Sequence, residues 1–75
     1  MPNLTVTVGT TVTWTNQDGA RHTTTSGQNG QFDDAGWNSP TLSRGESFSH
    51  TFDQVGTFAY TCKIHPSMNG TVTVQ

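Results

Sequence analysis

The chain has 75 residues, a formal net charge of −2, 29% hydrophobic residues and one cysteine, which describes a single small domain over residues 1–75. Leu, Ile, Val and Phe together number 13, about 17% of the chain and below the roughly 20% of ordinary globular domains, yet low charge, seven aromatics and fifteen threonines argue against disorder. A fold with so little apolar mass needs support, and a lone cysteine excludes an internal disulfide, so a metal or a partner is expected. No apolar run approaches 18 residues, so nothing is expected to span a membrane. Arg21, Arg44 and Lys63 are scattered and outnumbered by five acids, which leaves no footprint for nucleic acid. Met1-Pro2-Asn3-Leu4 has neither a basic n-region nor an apolar h-region, so no signal peptide is expected in this chain.

Alternation of apolar and hydroxyl side chains dominates. Leu4-Thr5-Val6-Thr7-Val8 reads as a first strand, and after Gly9 the run from Thr10 to Asn16 reads as a second. Asn16-Gln17-Asp18-Gly19 has the composition of a tight turn, and a third strand is predicted around Ala20 to Thr25. Residues 26–46 lose all periodicity and read as a long loop, with Phe32, Trp37 and Leu42 as apolar anchors holding it against the sandwich. Regularity returns in Glu46 to Phe52, the turn Asp53 to Gly56 and the strand Thr57 to Cys62; Asn69-Gly70 introduces a last strand, Thr71 to Val74. No stripe at helical spacing occurs. The class is all-β with short strands, a β-sandwich or small barrel.

The chemistry concentrates in Tyr60 to Gly70. Cys62, His65 and Met68 recur every three residues between two predicted strands, where a tight loop can point all three inward. Thiolate and thioether are soft ligands and imidazole is borderline, so such a set selects copper over magnesium, calcium or manganese. A thioether adds little to zinc, which would be left one strong ligand short. A second histidine is needed, and His22 is the natural candidate. Two imidazoles, one thiolate and a weak axial methionine form the blue-copper arrangement, which serves electron transfer. The pattern offers no open position for substrate and no acid or base pair near the ligands, so no enzyme is expected. His50 shares a face with Phe48 and Phe52, far from any soft ligand, and reads as structural. Trp14 and Tyr60 read as core, and Asp33 and Asp34 as a solvated loop.

The run Gly56 to Val74, containing Cys62-Lys63-Ile64-His65-Pro66-Ser67-Met68-Asn69-Gly70, resembles the C-terminal signature of the cupredoxins, the plastocyanin, azurin and amicyanin group. Val8 to Asn16 and on to His22 resembles the segment leading to their first histidine ligand, and Gly45-Glu46-Ser47-Phe48 the strand before the signature. The two-residue gap between His65 and Met68, with Pro66 after the histidine, is the short form found in amicyanin. The resemblance implies that His22, Cys62, His65 and Met68 bind one type 1 copper ion, with Cys62 the thiolate and Met68 axial. It implies redox partner proteins docking on an apolar patch of Ile64, His65, Pro66 and Met68, and a periplasmic or otherwise extracytoplasmic location. Two departures stand out. Thr23 occupies the place where many members have an Asn that ties the ligand loops together. The usual first strand of the family has no counterpart before Leu4, which exposes a sheet edge open to self-association.

The leading expectation is a protein that shuttles one electron through the Cu(I)/Cu(II) couple between redox partners. The alternatives are a copper-binding module excised from a larger oxidase, reductase or membrane-anchored protein, a copper carrier, and a metal-free β-sandwich used for adhesion.

Overall fold

Threonine and valine alternate where a strand has one wet face and one dry one, and the described residues form seven strands. In the computed structural model, which describes residues 3–34 and 36–75, these are β1 (Asn3–Val6), β2 (Thr11–Thr15), β3 (Thr25–Gln28), β4 (Gln31–Phe32), β5 (Ser47–Thr51), β6 (Gly56–Thr61) and β7 (Asn69–Val74). Met1 and Pro2, on which the leader reading partly rests, and Ala35 of the long loop lie outside the described residues. Among the described residues there is no helix, and so none long and apolar enough to cross a membrane.

The strands form a Greek-key sandwich of a five-stranded sheet in the order β1-β7-β6-β3-β4 and a two-stranded sheet, β2-β5. β1 runs parallel to β7, and the remaining strand pairs are antiparallel. In β2 and β5 the register places Val12 opposite His50 and Trp14 opposite Phe48 on the inner face. The outer face carries three rungs of hydroxyl pairs, Thr11–Thr51, Thr13–Ser49 and Thr15–Ser47, at 2.7–2.8 Å. The threonine bias thus supplies cross-strand bonds on the solvent side.

The core is small and aromatic. Trp37, Phe52, Tyr60, Val72 and Val74 are buried, and Leu4, Val6, Val12, Trp14, Phe48 and Phe58 pack against them. Trp37 stacks on Trp14 at 5.6 Å and on His50 at 5.0 Å, and meets Phe52 edge-on. Two expectations are met here: His50 serves as a packing partner, and Trp37 and Leu42 are buried anchors of the irregular segment.

Two others are corrected. The third strand begins at Thr25, not near Ala20, because the stretch around His22 is tied to Leu42 through an isolated bridge rather than to a sheet neighbour. The segment read as a continuous loop from residue 26 opens with a hairpin, β3–β4, around Asn29 and Gly30. Both turn residues have positive φ, 54° and 79°, as a two-residue turn of the hairpin type requires. Leu42 and Asn38 then pair with His22 and Thr25 in single bridges that hold the remainder on the sandwich.

Candidate metal centre

Three local devices bring the predicted residues together. The first fixes His22. Asn16, buried at the end of β2, donates from its amide to the carbonyls of Ala20 and Leu42 at 2.7 and 2.9 Å. His22 and Leu42 exchange backbone bonds of 3.1 and 2.7 Å, so the loop from residue 16 to residue 22 is pinned at both ends. The second shapes the loop between β6 and β7. The Cys62 N–H donates to the Met68 carbonyl and the Met68 N–H to the His65 carbonyl, which curls residues 62–68 into a tight turn. The third joins the two loops. Thr23 donates its N–H to Cys62 Sγ at 3.3 Å, and its hydroxyl oxygen accepts the Lys63 N–H at 2.9 Å. The Thr23 hydroxyl therefore bridges the ligand loops.

The β3–β4 hairpin buttresses this arrangement. Its tip donates from Asn29 N–H to Asn69 Oδ1 and from Gly30 N–H to Thr61 Oγ1, and Thr61 Oγ1 donates to the Met68 carbonyl. A Cβ built on Gly30 would stand 2.9 Å from Cβ and Cγ of Pro66, a ring that cannot turn aside. Gly30→Ala is therefore expected to cost about 1–2 kcal/mol from its left-handed backbone alone and to displace Pro66 besides. The melting temperature should fall by at least about 4 °C; an unchanged melting curve would contradict the buttress.

The outcome is a cluster in which ligand atoms of His22, Cys62 and His65 lie within 4.8 Å of one another. Nδ1 of each imidazole is 3.8 Å from Cys62 Sγ. Nitrogen and sulfur bonds to a shared metal of about 2.0 and 2.3 Å allow such atoms to stand up to roughly 4 Å apart, so both nitrogen–sulfur spacings are short enough for one ion to be held by His22, Cys62 and His65. Cys62 is fully buried, His22 and His65 are half-buried with rings 4.9 Å apart, and Met68 is half-buried on the same turn. Ile64, 44% exposed, and Pro66 flank His65 at the surface. His50, on β5, is not part of the cluster.

The electrostatics favour a thiolate. Burial pushes the Cys62 thiol up, but the Thr23 N–H, the two imidazoles and the His65 backbone outweigh it and hold it at about 6 against an ordinary 9.0. His22 is raised above 6.5 by its contact with Cys62 and, more weakly, by Asp18, with burial opposing. The signs are opposite. Cys62, depressed in the fold, adds to metal-free stability as pH rises from about 6 towards 9 and loses that contribution as pH falls through 6. His22, raised in the fold, contributes fully below 6.5 and loses its contribution as pH climbs through its folded value. The ultraviolet thiolate absorbance of metal-free protein should accordingly titrate with a midpoint near 6; a midpoint near 9 would show that the imidazoles do not stabilise the thiolate.

Sequence reasoning missed one functional contact. Asp18, read only as a turn residue, places both carboxylate oxygens 2.9 Å from Nε2 of His22. The four-residue spacing between an acid and the candidate ligand was the available signal.

A two-sheet sandwich that gathers two imidazoles and a thiolate beside a methionine defines a copper protein of the cupredoxin type. The profile for copper binding proteins of the plastocyanin/azurin family matches residues 1–75, and the chain belongs to that family, with copper as its cofactor. It is 36% identical over 74 residues to an amicyanin from Paracoccus denitrificans, an alignment that takes in 99% of this chain and 56% of that protein. It is 38% identical over 86 aligned positions to a plastocyanin from Scenedesmus fuscus, covering 97% and 82% of the two chains. Among solved structures, a novel purple cupredoxin from Nitrosopumilus maritimus superposes with a TM-score of 0.88 at 42% identity, covering 97% of this chain and 77% of that one. The chain thus spans little more than half the length of the amicyanin.

Proposed function

We propose that residues 1–75 act as one domain that carries single electrons between redox partners. His22, Cys62 and His65 would hold copper, with Met68 on the same turn as a fourth, weaker ligand. The observation that carries this reading is the pair of equal Nδ1-to-sulfur distances of 3.8 Å inside a scaffold hydrogen-bonded on every side. Copper supplies a Cu(I)/Cu(II) couple. The chain's own residues keep the rearrangement between the two states small: Asn16 and Leu42 fix His22, Thr23 fixes Cys62, and the β3–β4 hairpin fixes the loop. The burial of Cys62 keeps water from the sulfur.

Ile64, Pro66 and Met68 around His65 make an apolar surface suited to brief contact with a redox partner. Resemblance to a family that works mostly outside the cytoplasm supports an extracytoplasmic location. β2 pairs only with β5 among the described residues, and the free edge suits association with a second copy, which sedimentation at increasing concentration would reveal.

The alternative of a copper carrier separates from this reading in one experiment. Copper-loaded protein is cycled between reduced and oxidised forms in the presence of a Cu(I) chelator. Retention of copper through repeated one-electron cycles is expected; transfer of the metal to the chelator upon reduction would favour the carrier.

A further inference from the structure

We propose that Asp18 is a positioning residue of the copper centre, which sets the donor strength and orientation of His22. The proposal rests on the copper reading above. Nε2 of His22 lies 2.9 Å from both Oδ1 and Oδ2 of Asp18, so its N–H points between the two oxygens. That bond assigns the ring proton to Nε2 and leaves Nδ1, which faces Cys62 Sγ, with a lone pair for the metal.

A turn alone does not require this arrangement. The backbone needs only one Asp18 oxygen, Oδ1, to accept the Ala20 N–H at 3.0 Å, while Asp18 N–H donates to Asn16 Oδ1 at 3.1 Å. Asparagine would serve the turn equally well, since its carbonyl oxygen accepts the same bond. The second oxygen and the negative charge are left for His22. The two imidazoles also differ: no group among the described residues bonds Nε2 of His65, whereas that of His22 is anchored. The anchored ring is 15% exposed and its carboxylate 64%, so the charge remains hydrated while its hydrogen bond reaches inward to the ligand.

A carboxylate on the remote nitrogen draws the imidazole towards imidazolate character. The stronger donor favours the more highly charged metal ion, so Asp18 stabilises Cu(II) over Cu(I) and lowers the reduction potential. The same bond fixes the orientation of the His22 ring.

The test uses copper-loaded protein carrying Asp18→Asn or Asp18→Ala. Asp18→Asn keeps the turn acceptor and loses the charge; a tenfold weaker preference for Cu(II) over Cu(I) is expected, an upward shift of about 59 mV for a one-electron couple. Asp18→Ala loses both, and Cu(II) affinity measured by competition should fall about 10–100-fold. Measured above the pH at which His22 loses its proton, the metal-free melting temperature of the Asn variant should match the parent, which separates tuning from folding even where the Ala variant is unstable. An unchanged potential in the Asn variant would reduce Asp18 to a turn residue. A parent protein without a copper–thiolate band would instead overturn the copper reading, so the two failures are distinct.

Discussion

Cys62→Ala should remain colourless upon addition of Cu(II) and should bind the ion at least about a hundredfold more weakly. Cys62 is the only cysteine in the chain, fully buried, and held as a thiolate by the Thr23 N–H and two imidazoles. Without it, two imidazoles and a thioether remain, a set with no anionic donor and no thiolate to give intense visible absorption. Apparent binding free energies of about 10–16 kcal/mol for four-ligand sites imply that loss of one strong ligand removes roughly 3 kcal/mol. The folded structure should survive, because the substitution removes one buried sulfur atom and leaves the backbone bonds of the turn in place. Competition titration with a chelator, alongside metal-free melting, checks both halves; parental affinity in the variant would show that the metal binds elsewhere.

Trp37→Ala should bring the metal-free protein close to unfolding. The indole lies between Trp14 and His50, meets Phe52 edge-on, and donates its N–H to Thr24 Oγ1 at 3.0 Å. Its truncation removes the centre of the aromatic core and the anchor of the irregular segment between β4 and β5. Such substitutions cost about 3–5 kcal/mol, and at roughly 0.05–0.15 kcal/mol per residue the whole domain has about 4–11 kcal/mol to lose. A drop in melting temperature of at least about 12 °C follows. Copper at a thousandfold excess over its dissociation constant would return about 4 kcal/mol, so the loaded variant should refold. Thermal melting with and without Cu(II) decides the matter, and a parental melting temperature in metal-free Trp37→Ala would contradict this account of the core.

The strands rich in alternating valine and threonine were legible because burial on one face imposes a period of two, and their observed ends fall within about two residues of the sequence reading. Cys62, His65 and Met68 were legible because local spacing alone places them on one turn. What escaped depends on pairing between distant segments. The His22 stretch is held by Leu42 and the Thr25 stretch by Asn38, partners that no local pattern announces. The β3–β4 hairpin was missed although Asn29-Gly30 is a strong two-residue turn signal, because its strands are short and lack alternation. That the Thr23 hydroxyl ties the ligand loops depends on its reach to the Lys63 N–H, a matter of distance rather than residue type. Asp18 escaped because its turn composition already gave it a role.

The apolar deficit of the chain is consistent with a fold completed by its metal. Copper held by His22 and Cys62 would link the loop after β2 to the loop after β6, through residues 40 apart in sequence. The most direct measurement is titration of the metal-free protein with Cu(II), followed by visible and electron paramagnetic resonance spectra. One equivalent should produce intense visible absorption and the narrow copper hyperfine splitting of a thiolate-bound type 1 site. A weakly coloured complex with the wide splitting of tetragonal nitrogen and oxygen coordination would contradict it.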